Sequence, residues 1–124
     1  MDALNGAPGI YSARYAGTGA SDAANVTKLL NDLANKTEAE RSARYHCVLV
    51  YMRHAQDPVP LIAQGVWEGR ILFTPVGDQG FGYDPIFYVP THYCSAAQLD
   101  AEEKNRISHR GLAMNELLKQ MQIL

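Results

Sequence analysis

An aromatic side chain bracketed by glycines, with a carboxylate close behind it, stands out in the run Gly77-Asp78-Gln79-Gly80-Phe81-Gly82-Tyr83-Asp84-Pro85. Gly80 and Gly82 put no side-chain bulk on either side of Phe81, so its phenyl ring is offered from a bare backbone. A ring held that way is a platform on which a flat heteroaromatic such as a purine can stack. Asp84 precedes a proline, which biases it towards an extended conformation and so fixes where its carboxylate points. Taken alone, the run also fits a tight turn whose Phe packs into the core, and isolated glycine-rich loops favour that plainer reading. It is not a phosphate-cradling P-loop, because no Gly-Lys-Ser/Thr follows it.

A second group, Lys104, Ser108, His109 and Arg110, lies at the approach to the last helix, which Ser108 is placed to cap. A helix start concentrates backbone N–H donors and favours acceptor-rich ligands. The Arg110 guanidinium has the fork geometry for paired hydrogen bonds to O6 and N7 of a 6-oxopurine. Adenine carries an amino donor at that edge, so a site built of donors would reject it by leaving groups unpaired. By itself this group also reads as a solvated charge cluster on a helix end, which is the commoner case.

Other candidates carry less. His46 lies in an apolar run and reads as a core or edge histidine. His54 and His92 flank loops without a partner at metal-ligand spacing, so no metal site is assigned. Arg14 could pair with a carboxylate or a phosphate. No Gly-x-Ser-x-Gly occurs, and no Ser/His/Asp or Cys/His arrangement stands out, so no catalytic residue is assigned within the chain.

The elements that must position these residues are read from periodicity. After Gly17-Thr18-Gly19 a helix is predicted, capped by Ser21 or Asp22, with Val26, Leu29, Leu30 and Leu33 on one face. The opening around Gly6-Ala7-Pro8-Gly9 reads as an ordered loop rather than a strand or helix. Thr37 with Glu40 forms a capping-box pattern, as do Ser95 with Gln98 and Asp100 with Glu103. Residues 45–53 read as a strand, apolar on both alternating faces and therefore covered on both sides. Asp57-Pro58-Val59-Pro60 breaks the chain before a partner strand at 61–69, which Ile71-Leu72-Phe73 could extend. Ile86-Phe87-Tyr88-Val89 reads as a short strand. Met114, Leu117, Leu118 and Met121 make the apolar stripe of the final helix. The expected fold is α/β, a mixed sheet flanked by helices, with residues 1–124 forming a single domain.

Composition bounds the function. A chain of 124 residues with 47% apolar and 19% charged residues suits one globular domain with a modest core. The net charge of −2 argues against a phosphate-tracking surface for nucleic acid, though a small phosphorylated ligand needs only a few local cations. The two cysteines, Cys47 and Cys94, make no disulfide framework, and Cys47 in its apolar run reads as a buried thiol. With no membrane-length apolar stretch and no basic-then-apolar leader, the expected setting is the reducing cytoplasm.

Together these segments resemble one family. Leu4-x-Gly6-Ala7-Pro8-Gly9-Ile10-Tyr11-Ser12-Ala13-Arg14-Tyr15 is similar to the loop that follows the catalytic motif in inosine/xanthosine triphosphate pyrophosphatases. Gly80-Phe81-Gly82-Tyr83-Asp84-Pro85-x-Phe87 resembles the base-binding loop of that family, and Lys104 with Ser108-His109-Arg110-Gly111 resembles its closing signature. Three blocks in order and spacing, covering essentially the whole chain, outweigh the plainer readings of each. The resemblance implies that Phe81 stacks on the purine, that Asp84, Lys104, His109 and Arg110 surround the base and its 6-oxo edge, and that Gly82 and Tyr83 shape the pocket. It further implies Mg²⁺-dependent hydrolysis of ITP, dITP and XTP to monophosphate and pyrophosphate, an ITPase-like fold and homodimers.

The departure is equally specific. Members of that family begin with a strand and phosphate-binding loop carrying Ser/Thr, Asn and Lys, then a metal-binding Glu and an Asp-Asp-Ser-Gly motif; these are not among the 124 residues. The chain thus reads as an N-terminally truncated, base-recognising part, with little expected activity alone and an exposed sheet edge that invites association. Two other readings stay open: a non-catalytic remnant that binds inosine or xanthosine monophosphate, and an interaction module completed by a partner chain.

Overall fold

The helix expected after Gly17-Thr18-Gly19 forms over Asp22–Asp32 (α1) in the computed structural model, which describes residues 1–122. The chain divides into two compact units. Met1–Arg44 with Glu68–Asp100 form the first, and Tyr45–Trp67 with the segment from Ala101 form the second.

In the first unit the Ser21 Oγ caps α1 by accepting from the Ala24 N–H at 3.1 Å. Val26, Leu29 and Leu33 are buried as the spacing predicts, while Leu30 is half-buried. Asn25, also buried, accepts from the Ala16 N–H at 2.8 Å and donates to the Ala13 carbonyl at 3.1 Å. That pair of bonds ties the preceding segment to α1. The segment itself departs from the loop reading. It folds into two 3-10 turns, Asp2–Leu4 and Gly9–Arg14, because local bonds such as Tyr11 N–H to the Pro8 carbonyl (3.0 Å) satisfy its backbone. The Thr37/Glu40 and Ser95/Gln98 capping boxes both form, each closing a 3-10 turn.

The strands are β1 (Ser42–Tyr51), β2 (Leu61–Ile71), β3 (Phe87–Val89) and β4 (Cys94–Ser95), in the order β1-β2-β3-β4. β3 pairs antiparallel with β2 (Arg70 opposite Tyr88) and with β4 (Val89 opposite Cys94). β1 starts three residues earlier and ends two earlier than expected. β2 reaches Ile71 but not Leu72 or Phe73, because the Leu72 N–H turns to the Ile86 carbonyl at 2.8 Å. Arg41, 2% exposed, fills the turn before β1. Its guanidinium donates to the carbonyls of Leu33, Leu72 and Lys36 and lies 3.9 Å over the Phe73 ring. Ala43, Ile71, Ile86, Phe87, Val89, Ala96, Ala97 and Leu99 add to the buried interior of this unit.

The second unit holds β1 from Tyr45 and β2 as far as Trp67, together with α2 (Ala101–Ile107) and α3 (His109–Met121). Ala63, Gly65 and Trp67 of β2 are buried, while the alternating Ile62, Gln64 and Val66 are exposed. On β1, Tyr45, Cys47 and Leu49 are half-buried, whereas His46, Val48 and Val50 are exposed. The strand expected to be covered on both sides is therefore covered on one among the described residues, and Cys47 is half-buried rather than buried. The stripe on the final helix is also corrected. Met114, Leu118 and Met121 are exposed, Leu117 is half-buried, and the residue turned fully inward is Ala113. Close backbone approach explains this: a Cβ on Gly65 would stand 2.7 Å from the Ala113 amide nitrogen, leaving room only for a small residue there.

The predicted break between β1 and β2 is held by Asp57, which accepts from the Arg53 side chain (2.9 and 3.0 Å), the Arg53 N–H and the Val59 N–H. The Arg53 guanidinium beside it, helped by those two amides, keeps this carboxyl well below its ordinary range. Among the described residues no helix is long and apolar enough to cross a membrane.

Candidate functional site

The glycine-rich loop belongs to the first unit. Gly80 (φ +76°) and Gly82 (φ +61°) both take the left-handed conformation that glycine adopts without strain, so the backbone turns sharply on each side of Phe81. Phe81 is 61% exposed, which excludes the reading of a turn whose aromatic is packed into the core. The loop around it is tightly held. The Asp84 carboxylate accepts the Phe81 N–H at 3.0 Å, and the Gly82 N–H donates to Asp22 at the start of α1 (2.9 Å). The Gln79 N–H donates to the Ala97 carbonyl, and the Val76 N–H to that of Pro85.

Asp84 departs from expectation in its backbone. It opens a 3-10 turn, Asp84–Ile86, instead of being extended, because its N–H donates to the Phe81 carbonyl while its carboxylate takes the Phe81 N–H. That reciprocal pair outweighs the steric bias of the following proline. Asp84 is 3% exposed, and one of its carboxylate oxygens supports the loop that carries the ring.

Tyr83, 9% exposed, donates its hydroxyl to the Ser12 carbonyl at 2.7 Å and so ties the loop to the 3-10 turn ahead of α1. Burial, with the Asp22 carboxylate adding to it, pushes the Tyr83 hydroxyl up to about 12 from 10.0. Because the folded value is the higher one, the associated stability is full below the unfolded value and is lost as pH rises through the folded one. Tyr83→Phe is expected to cost on the order of 1 kcal/mol at neutral pH by stranding the Ser12 carbonyl. It should also flatten the alkaline fall in stability, as read by urea melts at about pH 8 and about pH 11.

Lys104, His109 and Arg110 belong to the second unit. Ser108, 3% exposed, caps α3 by accepting the Gly111 N–H at 3.2 Å, and its own N–H donates to the Lys104 carbonyl at 2.8 Å. The turn between α2 and α3 is very close: a Cβ on Gly111 would stand 1.7 Å from the Asn105 carbonyl oxygen. Lys104 at the end of α2 and His109-Arg110 at the start of α3 are thereby brought to one helix junction. Arg110 is exposed, Lys104 and His109 are half-buried. The His109 imidazole lies nearly parallel to the Tyr45 ring, 4.7 Å between centroids and 13° between planes.

The structure thus gathers Phe81, Gly82, Tyr83 and Asp84 in one braced loop, and Lys104, His109 and Arg110 at one helix junction. Sequence reasoning missed Asp22 and the Ser12 carbonyl as supports of the loop, and Tyr45 and Gly65 as neighbours of His109. These partners lie far from their targets along the chain, beyond the reach of any local pattern. Arg14, left undecided, lies 4.9 Å from the Tyr11 ring centroid. Mg²⁺, implied by the resemblance, finds no matching donor set: among the described residues no group of three or more His, Cys, Asp or Glu side chains is assembled to hold a metal.

The chain is 58% identical over 121 residues to a dITP/XTP pyrophosphatase of Idiomarina loihiensis, covering 98% of this chain and 60% of that protein. It is 60% identical over 118 residues to the dITP/XTP pyrophosphatase of Yersinia pseudotuberculosis, again 60% of that protein's length. Among solved structures, a HAM1 protein from Coxiella burnetii superposes with a TM-score of 0.92 at 51% identity, covering 99% of this chain and 62% of that one. A nucleoside-triphosphatase / dITP/XTP pyrophosphatase from Mycobacterium abscessus gives a TM-score of 0.76 at 40% identity, with 97% and 60% coverage. The chain therefore spans about 60% of the length of these curated relatives. With residues 1–120 also matched by the family profile, the chain belongs to the Ham1 family.

Proposed function

We propose that residues 1–124 act as a single domain and supply the base-recognition part of an enzyme that hydrolyses ITP, dITP and XTP to the monophosphate and pyrophosphate. The observation that carries this reading is the exposed Phe81 ring on a loop whose backbone is held by Asp84 and Asp22. An aromatic ring kept in water on a loop held by these bonds is poised for stacking and costs little further ordering when a base arrives. Arg110 would donate to O6 and N7 of the 6-oxopurine, with Lys104 and His109 adding donors at the same edge. Asp84 would serve the base from the loop, and Gly82 and Tyr83 would set the loop's shape.

Relatives named dITP/XTP pyrophosphatase support the substrate class. Mg²⁺ would neutralise the phosphates of the substrate in the whole enzyme. Among the described residues no group of three or more His, Cys, Asp or Glu side chains is assembled to hold it. Homodimers in the cytoplasm, without nucleic acid or membrane as partners, complete the proposal.

Pyrophosphate release tests the division of labour. The 124-residue protein with ITP and Mg²⁺ is expected to turn over little, and activity should return when a segment carrying the family's Asp-Asp-Ser-Gly motif is co-expressed. Turnover by the chain alone at the rate of a full-length relative would overturn it. Binding of IMP without Mg²⁺, with no activity on co-expression, would instead support the nucleotide-binding remnant.

A further inference from the structure

We propose that Tyr45 and Trp67 are positioning residues that set the plane of the His109 imidazole, and through it the direction in which His109 meets the base; the proposal rests on the base-site reading above. Tyr45 comes from β1, Trp67 from β2 and His109 from the first position of α3, and all three belong to the second unit. Their rings are nearly parallel. Tyr45 and His109 are 4.7 Å apart at 13°, Trp67 and His109 6.1 Å at 17°, and Tyr45 and Trp67 5.9 Å at 28°.

The second torsion of a histidine is broad and weakly restrained, so a helix-start imidazole has no intrinsic preferred plane. Its nitrogens act along directions lying in the ring plane, and tilting the ring re-aims them. Stacking against two aromatic rings removes that freedom. The backbone beneath is fixed as well, since a Cβ on Gly65 would stand 2.1 Å from the His109 carbonyl oxygen. The strand floor sets where His109 sits, and the two rings set how it is turned. Trp67, 6% exposed, is the buried side of the stack, while Tyr45 is half-buried.

The test uses the 124-residue protein as wild type, Tyr45→Phe, Tyr45→Leu, His109→Ala and the Tyr45→Leu/His109→Ala double variant. Two quantities are read: IMP affinity by calorimetry, and the NMR shifts of the His109 ring protons without nucleotide. In the wild type the neighbouring rings are expected to displace these proton signals from their free-imidazole positions. Tyr45→Leu is expected to return them towards those positions and to weaken IMP binding by roughly 2- to 10-fold, the worth of one aromatic pair. In the His109→Ala background the same change should cost nothing more, which a merely structural role would not give. Tyr45→Phe, which keeps the ring, should match the wild type in both readouts.

Unchanged ring-proton shifts in Tyr45→Leu, an equal loss in the His109→Ala background, or a Tyr45→Phe protein that fails both readouts would each overturn the positioning role while leaving the base site standing. A His109→Ala protein that binds IMP like the wild type would instead remove His109 from the base site, and this proposal with it.

Discussion

Gly111→Ala is expected to destabilise the protein by about 1–3 kcal/mol or more, reversing the usual sign of a glycine-to-alanine change inside a helix. In an ordinary helix the added methyl would gain roughly 1 kcal/mol by limiting the unfolded chain. Here the new Cβ would stand 1.7 Å from the Asn105 carbonyl oxygen and 2.7 Å from its carbon. Both atoms are backbone at the α2–α3 junction, so no flexible side chain can move aside. Relief would require the two helices to part. That would pull the Ser108 cap from the Gly111 N–H and separate the Lys104 carbonyl from the Ser108 N–H. The junction carries Lys104, His109 and Arg110, so purine binding should fall along with stability. A thermal melt reads the first effect, about 2–8 °C for each kcal/mol at this chain size. An unchanged melting temperature would contradict the close approach on which the junction depends.

Arg110→Ala should lower affinity for IMP by about 1–3 kcal/mol, roughly 5- to 150-fold, while affecting AMP far less. The asymmetry is the informative part. A bare loss of positive charge would weaken both monophosphates alike, because the attraction to phosphate ignores the base. Loss of a fork aimed at O6 and N7 removes bonds that only the 6-oxopurine can accept in full. Arg110→Lys should recover little, since an ammonium cannot reproduce the planar pair of donors. Parallel calorimetric titrations with the two nucleotides distinguish these outcomes, and unchanged selectivity for IMP over AMP in Arg110→Ala would remove Arg110 from the base edge.

How far the sequence could be read depended on the range of the interactions involved. The caps at Ser21, Thr37, Ser95 and Ser108 are contacts within one helical turn, and each forms as its residue pattern indicates. The glycines around Phe81 announced a sharply turned loop, and the turn is there. Asp84 went astray because the rule for a residue before proline weighs only sterics, whereas the carboxylate is recruited by the Phe81 N–H. The final helix went astray because helical periodicity finds an apolar stripe without saying what stands opposite. Gly65 brings β2 so near that Ala113, not the larger Met114 or Leu118, faces it. The same blindness applied to β1, whose two apolar faces look alike in sequence but differ in cover. The braces of the candidate site, Asp22 to Gly82, Tyr83 to Ser12 and Tyr45 to His109, join residues distant in the chain and carry no local signature.

Recognition of a 6-oxopurine by this chain is best examined by titrating the 124-residue protein with IMP and with AMP, in the wild type and in Phe81→Ala. The wild type should bind IMP at least about tenfold more tightly than AMP, the discrimination of a good paired contact. Phe81→Ala should lose about 1–3 kcal/mol with either base, as stacking does not distinguish them. Equal affinity of the wild type for the two nucleotides, or a Phe81→Ala protein that binds IMP undiminished, would contradict it.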